Sequence, residues 1–280
     1  MHRQSRSIRQ IASATGFVRA RVLGNRGPAA VLGAFPTACY LQLTDGTVIA
    51  LLCSDAVRLP IGLVLPVSSR QLPLDRVFAA EREGVLTAEL TDGELRLGGL
   101  RVGLGSIRSA ALAPVGQPVP ESLAGCRSWQ QVALATAHLP PDALAALFAA
   151  PAAGVGRLLG AGPGLTPSGD DLLCGVLAGA VLFGGPDLPI RRAVTDQLSH
   201  RPRATTGLSR QLLLRAAAGE GIEQLTELGR ALCENDPARL AAALARLDLI
   251  GHSSGAALGL GVLAMAERAL AAPLLSGAIG

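Results

Sequence analysis

The sequence predicts an α+β fold, with a mainly β domain over residues 1–115 followed by a helical bundle domain over 116–280. Three observations lead there. Two Thr-Asp-Gly turns, at 44–46 and 91–93, each sit between short apolar runs, the mark of β-hairpins. Proline and glycine thicken over 114–125 (PVGQPVPESLAG), which reads as a linker. Beyond it, apolar residues recur at helical spacing almost to the end of the chain.

Taken in order, residues 1–26 carry Arg3, Arg6, Arg9, Arg19, Arg21 and Arg26 with no acid before Asp45. This start reads as a solvated tail leading into a first strand. From Ala29 to about Gly105, YLQLTDGTVIALL predicts two strands around Asp45-Gly46, and LTAELTDGELRLGGLRVGL two more around Asp92-Gly93. Helices are expected at SWQQVALATAHL, PDALAALFAA and DDLLCGVLAGAVLF, over 187–201, 207–218, 221–233 and 237–247, and at GAALGLGVLAMAERAL. The segments at 170–183 and 255–270 are rich in Gly and Ala, so their backbones can approach closely, and they are expected to form the centre of the bundle.

Composition excludes several classes of function. All 25 basic residues are arginine, which removes lysine Schiff-base chemistry and the P-loop lysine. A formal charge of +4, without a basic stripe interleaved with aromatics, argues against nucleic acid as a partner. Cys39, Cys53, Cys126, Cys174 and Cys233 are odd in number and lie in apolar sequence, so they read as reduced core residues rather than a disulfide framework or zinc site. No signal peptide opens the chain. The uncharged stretches at 172–186 and 249–266 are short or broken by glycine, with His252 in the second, so a cytoplasmic protein without a membrane partner is expected.

The most informative stretch is GAGPGLTPSGDD, residues 160–171. Ser168 and Asp171 fit an S-x-x-D capping box at a helix start. Gly160, Gly162 and Gly164 ahead of it let the main chain approach a ligand. A helix start exposes free N–H groups and partial positive charge, so Gly162, Gly164, Leu165, Thr166, Ser168 and Gly169 form a candidate phosphate site. Asp170 and Asp171 bring negative charge to the same place, which magnesium held by those two carboxylates, or Arg203, can balance. The bland reading is that Ser168, Asp170 and Asp171 only cap the helix. Neither nucleotide fingerprint fits, so no nucleotide or organic cofactor is expected.

LDLIGHSSGAALGLGVLA imitates a hydrolase nucleophile elbow, with a strand, G-x-S-x-G and a helix, and Ser253 as nucleophile. No aspartate or histidine follows Ser253, so the triad cannot close in that fold's order. Ser253, Ser254 and Gly255 read better as a second helix start, with His252 beside it as a donor or base. A third start places Thr205, Thr206 and Ser209 just after Arg203. Should the three starts converge, they form a pocket of hydroxyls, amides, two carboxylates and an arginine.

The segments GPGLTPSGDDLLCG, ATTGLSRQLLLRAAAG and GHSSGAALGLG resemble the bacterial family of AllH-type subunits of oxamate carbamoyltransferase, over roughly 155–265. The resemblance implies a protein working with two other subunits in purine and allantoin breakdown. It also implies transfer of a carbamoyl group between oxalurate and phosphate, giving oxamate and carbamoyl phosphate. The family often has an acid two positions after the Ser-Gly pair, where this chain has Ala257. The expected roles follow from joining the two readings: amides of Gly164 to Gly169 hold phosphate oxygens, and Asp170 and Asp171 hold magnesium or orient the amine. Arg203 balances charge, and His252 assists proton transfer. The alternatives are a non-catalytic assembly subunit and a free-standing regulator that binds small anions.

Overall fold

A computed structural model describes residues 8–79, 88–140, 142–184 and 188–271, and the chain divides into two compact units, Met1–Ala110 and Ala111–Gly280. It is an α+β chain, with a closed barrel in the first unit and helices throughout the second.

The first unit runs β1 (Ile8–Ala14), α1 (Gly16–Gly24), β2 (Gly27–Ala34), β3 (Ala38–Gln42), β4 (Val48–Leu52), β5 (Gly62–Val64), α2 (Leu74–Ala79), β6 (Ala88–Thr91), β7 (Glu94–Leu97) and β8 (Leu100–Ile107). Its strands close in the order β1-β5-β4-β3-β2-β6-β7-β8. Both expected hairpins form. At the second, Asp92 and Gly93 take φ of 51° and 78°, the left-handed pair that a two-residue hairpin demands. The run that follows supplies a third strand there, β8, which returns to pair in parallel with β1 and closes the barrel. Leu41, Leu51, Leu63, Leu95, Leu97 and Leu100 fill the interior, with Val18 and Val22 of α1 in the same core.

The arginine-rich start is a folded part of this unit, which corrects the tail reading for residues 8–24. Thr15 caps α1 by accepting from the Val18 amide and donates to the Pro60 carbonyl at 2.8 Å. Arg9, Arg21 and Arg26 pair with Glu94, Asp45 and Asp92 at 3.4, 3.3 and 3.0 Å. These pairs are solvent-exposed, so each contributes at most about 1 kcal/mol. Residues 1–7 lie outside the described part.

The second unit contains α3 (Pro120–Gly125), α4 (Arg127–Ala137), α5 (Ala143–Ala149), α6 (Pro151–Leu158), α7 (Ser168–Leu182), α8 (Leu188–His200), α9 (Gly207–Ala217), α10 (Glu223–Leu232), α11 (Pro237–Asp248) and α12 (Ser254–Ala271). The expected linker is instead part of this unit. Leu112, Val115 and Val119 donate their amides to the carbonyls of Gly219, Leu182 and Leu232, at or just past the C-terminal ends of α9, α7 and α10. Helix ends leave such carbonyls without internal partners, and an extended, proline-rich strap supplies the donors. Pro120 then starts α3 from the N-terminal turn, where its missing N–H costs nothing. Pro151 starts α6 in the same way.

The pair α7 and α12 packs backbone against backbone, as their small residues predict. A Cβ on Gly175 would lie 2.1 Å from the Leu258 carbonyl oxygen, and one on Gly261 would lie 2.4 Å from that of Leu172. By length and composition α12 is apolar enough to cross a membrane, with a mean hydropathy of 1.2, yet 61% of it is buried inside the protein. That burial is the behaviour of a core helix. The five thiols are free, and all but the half-buried Cys233 are buried.

Candidate functional site

The site begins with how the glycine loop is held between α6 and α7. Three amides at the start of α7 are already committed: Gly169 donates to the Ala161 carbonyl at 2.9 Å, and Asp170 and Asp171 donate to the Pro167 carbonyl at 3.0 and 3.1 Å. The capping box does not form. Pro167 occupies the cap position, no side chain caps the helix, and the Ser168 hydroxyl lies 3.1 Å from that of Ser253. Gly169 is needed for packing, since a Cβ there would lie 2.0 Å from the Leu158 carbonyl oxygen. Of the expected amide cradle, the N–H groups of Gly164, Leu165, Thr166 and the buried Ser168 remain, and these donate no hydrogen bond among the described residues. Gly162 and Gly164 are exposed. Gly164 has φ of 91° and open space on its Cβ side.

The three polar helix starts meet. Thr166 Oγ1 lies 3.0 Å from Ser254 Oγ, joining the loop to the start of α12. Thr206 caps α9 by accepting from the Ser209 amide at 3.0 Å, and its hydroxyl donates to the Leu165 carbonyl at 2.6 Å. Thr205 donates to Asp170 Oδ2, while Asp170 Oδ1 accepts from the Gly160 amide at 2.8 Å. Gly160 has φ of 74°, and a Cβ there would lie 2.0 Å from the Ala204 carbonyl oxygen, so this close approach requires glycine.

Asp170 is therefore an internal tie, with both oxygens engaged and only 1% exposed. Burial raises its pKa, opposed by the bonds from Thr205 and Gly160. Asp171 differs. It is 5% exposed, and its Oδ2 has no hydrogen-bond partner. Burial pushes its pKa up to about 7, with the neighbouring Asp170 charge adding and the hydroxyls of Ser254 and Thr166 opposing. The same burial lifts the Cys174 thiol, helped by both carboxylates. Ser209 Oγ is likewise buried without a partner.

Other expected residues stand apart from this cluster. Arg203 and His252 are exposed and make no hydrogen bond or ion pair among the described residues. Gly255 is buried, with its amide on the Ile250 carbonyl. Ala257 is fully buried in α12. The run before Ser253 is the end of α11 and a turn, so the strand that a hydrolase elbow needs is missing. The Leu165 carbonyl and the Gly160 amide join this cluster as backbone partners of Thr206 and Asp170. Backbone atoms leave no signature beyond the glycine at 160.

The donor set does not fit magnesium. A hard dication needs ionised oxygens shared with several waters. Asp170 has both oxygens engaged, and burial favours the neutral form of Asp171. Among the described residues no three His, Cys, Asp or Glu side chains gather.

Fold and site together define an α+β chain whose helical unit gathers three hydroxyl-bearing helix starts around two buried carboxyls. The family model described as oxamate carbamoyltransferase subunit AllH matches residues 158–266, a span that contains all three starts and leaves out the barrel. No solved structure matches the chain.

Proposed function

We propose that the chain is a subunit of an oxamate carbamoyltransferase-like enzyme of purine and allantoin catabolism, and that it binds phosphate or carbamoyl phosphate on the exposed loop 162–166. The observation that carries this reading is the convergence of the three helix starts inside the span matched by the AllH family model. The free amides of Gly164, Leu165 and Thr166 supply donors for an anion. Arg203, with no acid paired to it, supplies charge, and Asp170 holds the loop in shape. His252 stands beside Ser253 as a proton-transfer group. Other subunits complete the enzyme.

Calorimetric titration of the full chain with inorganic phosphate and carbamoyl phosphate tests this. Saturable binding is expected, weakened about tenfold by Arg203→Ala, the loss of one charge-assisted contact. If a correctly folded chain binds neither ligand, alone or with the subunits it copurifies with, the proposal fails.

One observation favours a second reading, a non-catalytic assembly subunit: the Asp170 carboxyl and the amides of Gly169, Asp170 and Asp171 are satisfied internally. On that reading Asp170→Asn lowers stability while turnover per assembled complex stays unchanged. Lost turnover in an intact complex excludes it.

A further inference from the structure

Helices α4, α5 and α12 leave a surface groove of about 300 Å³ between them. Its floor takes one leucine from each helix, Leu134, Leu144 and Leu260, and its rim carries Arg127 and Glu267. Leu134 is 41% exposed, and so is Leu270, three residues beyond Glu267 on the same side of α12. The two rim charges are unmatched. Arg127 makes no hydrogen bond or ion pair among the described residues, and Glu267 accepts from Gln130 Nε2 at 2.9 Å but pairs with no cation there. The cation beside it in the chain, Arg268, lies over the Phe148 ring at 4.4 Å instead. Single exposed leucines are ordinary on a protein surface. Here a concave apolar floor, exposed leucines and both signs of charge share one face.

We propose that this groove seats a second copy of the chain in a twofold dimer. A surface that meets itself about a twofold axis must be self-complementary: where one residue meets another, the reverse contact forms as well. An unpaired cation and an unpaired anion on the rim of one groove fulfil that condition. Across the axis, Arg127 of each copy faces Glu267 of the other, and Leu134 of each copy packs against the other's apolar floor. A different protein would have to bring its own matching acid and base; a second copy already carries both. Arg127, Leu134, Leu144 and Glu267 lie outside the span 158–266 matched by the family model, so the groove is separate from the three helix starts. It shares only α12 with them: Leu260 lies six residues after Ser254, about 9 Å along the helix.

Sedimentation velocity of the full chain tests this. The wild type is expected to run as a concentration-dependent dimer. Arg127→Glu and Glu267→Arg each set two like-charge pairs across the axis, and each should weaken the dimer about tenfold or more. Mixed in equal amounts, the two variants should bind each other with the wild-type affinity, because the two introduced charges then meet, and so do the two native ones. Both positions are exposed, so the variants should keep the wild-type circular dichroism. Should either misfold, Leu134→Asp, which puts a charge on the apolar floor, is expected to leave a monomer. A wild type that stays monomeric at every concentration, a dimer that the variants do not weaken, or a mixture that forms no heterodimer overturns the inference. So does a monomeric wild type from whose copurified complex Leu134→Asp releases another subunit, since the groove then seats that chain. None of these outcomes bears on phosphate binding, so the two proposals fail separately.

Discussion

Replacing Asp171 by Asn should stabilise the protein in mild alkali, although it removes a charged residue from the most polar part of the helical unit. A carboxyl whose folded-state pKa stands above its unfolded one favours the folded state fully below the unfolded value. That contribution is lost as pH rises through the folded value. For Asp171 the two values are about 7 and the ordinary 3.8. At about 1.36 kcal/mol per pH unit, the gap corresponds to about 4 kcal/mol lost between pH 4 and pH 8. Asn mimics the neutral acid at every pH, so wild type and variant should be close at pH 4.5 and separate steadily above it. At pH 8 the variant should be more stable by up to about 4 kcal/mol, or about 10 °C in midpoint for a unit of this size. Asp170 also has a raised pKa, and Asp45, Asp55 and Asp142 lowered ones, but they are present in both proteins and drop out of the comparison to first order. Trp129 is the only tryptophan, lies in the helical unit and donates to Asp248 at 2.9 Å, so its fluorescence in urea reports that unit alone. Parallel pH dependence in the two proteins, or a variant weaker at both pH values, would refute the reasoning.

Other substitutions probe the frame around the site. Asp170→Ala strands the Gly160 amide and the Thr205 hydroxyl, and should cost about 2–4 kcal/mol in urea unfolding at pH 7. Gly175→Ala drives a methyl group into the Leu258 carbonyl and should cost about 1–3 kcal/mol or more, visible as a lower thermal midpoint. Thr206→Ala removes both the cap on α9 and the bond to Leu165; a loss of about 1–2 kcal/mol is expected, with faster amide exchange across 160–167 as the local readout.

The parts legible in the sequence are those whose causes are local. Asp92-Gly93 specifies its own turn because two adjacent residues tolerate left-handed φ, and the hairpin follows. The small residues of α7 and α12 likewise state what they permit. Barrel closure is not written locally, since β1 and β8 pair across about ninety residues of chain and β5 is only three residues long. The start of the chain misled because α1 shows its arginines outward and buries only Val18 and Val22. At the site, the residue types were readable and the partners were not. Ser168 matches a capping pattern, yet its hydroxyl meets Ser253, a partner 85 residues away that the pattern cannot see.

The glycine notches between α7 and α12 act as a bolt. With the backbones in contact at Gly175 and Gly261, neither helix can slide along the other without collision. Thr166 and Ser168 on one side and Ser254 and Ser253 on the other are therefore carried as one rigid body. Any adjustment to an arriving guest falls to the exposed turn at Gly164, which has open space beside it.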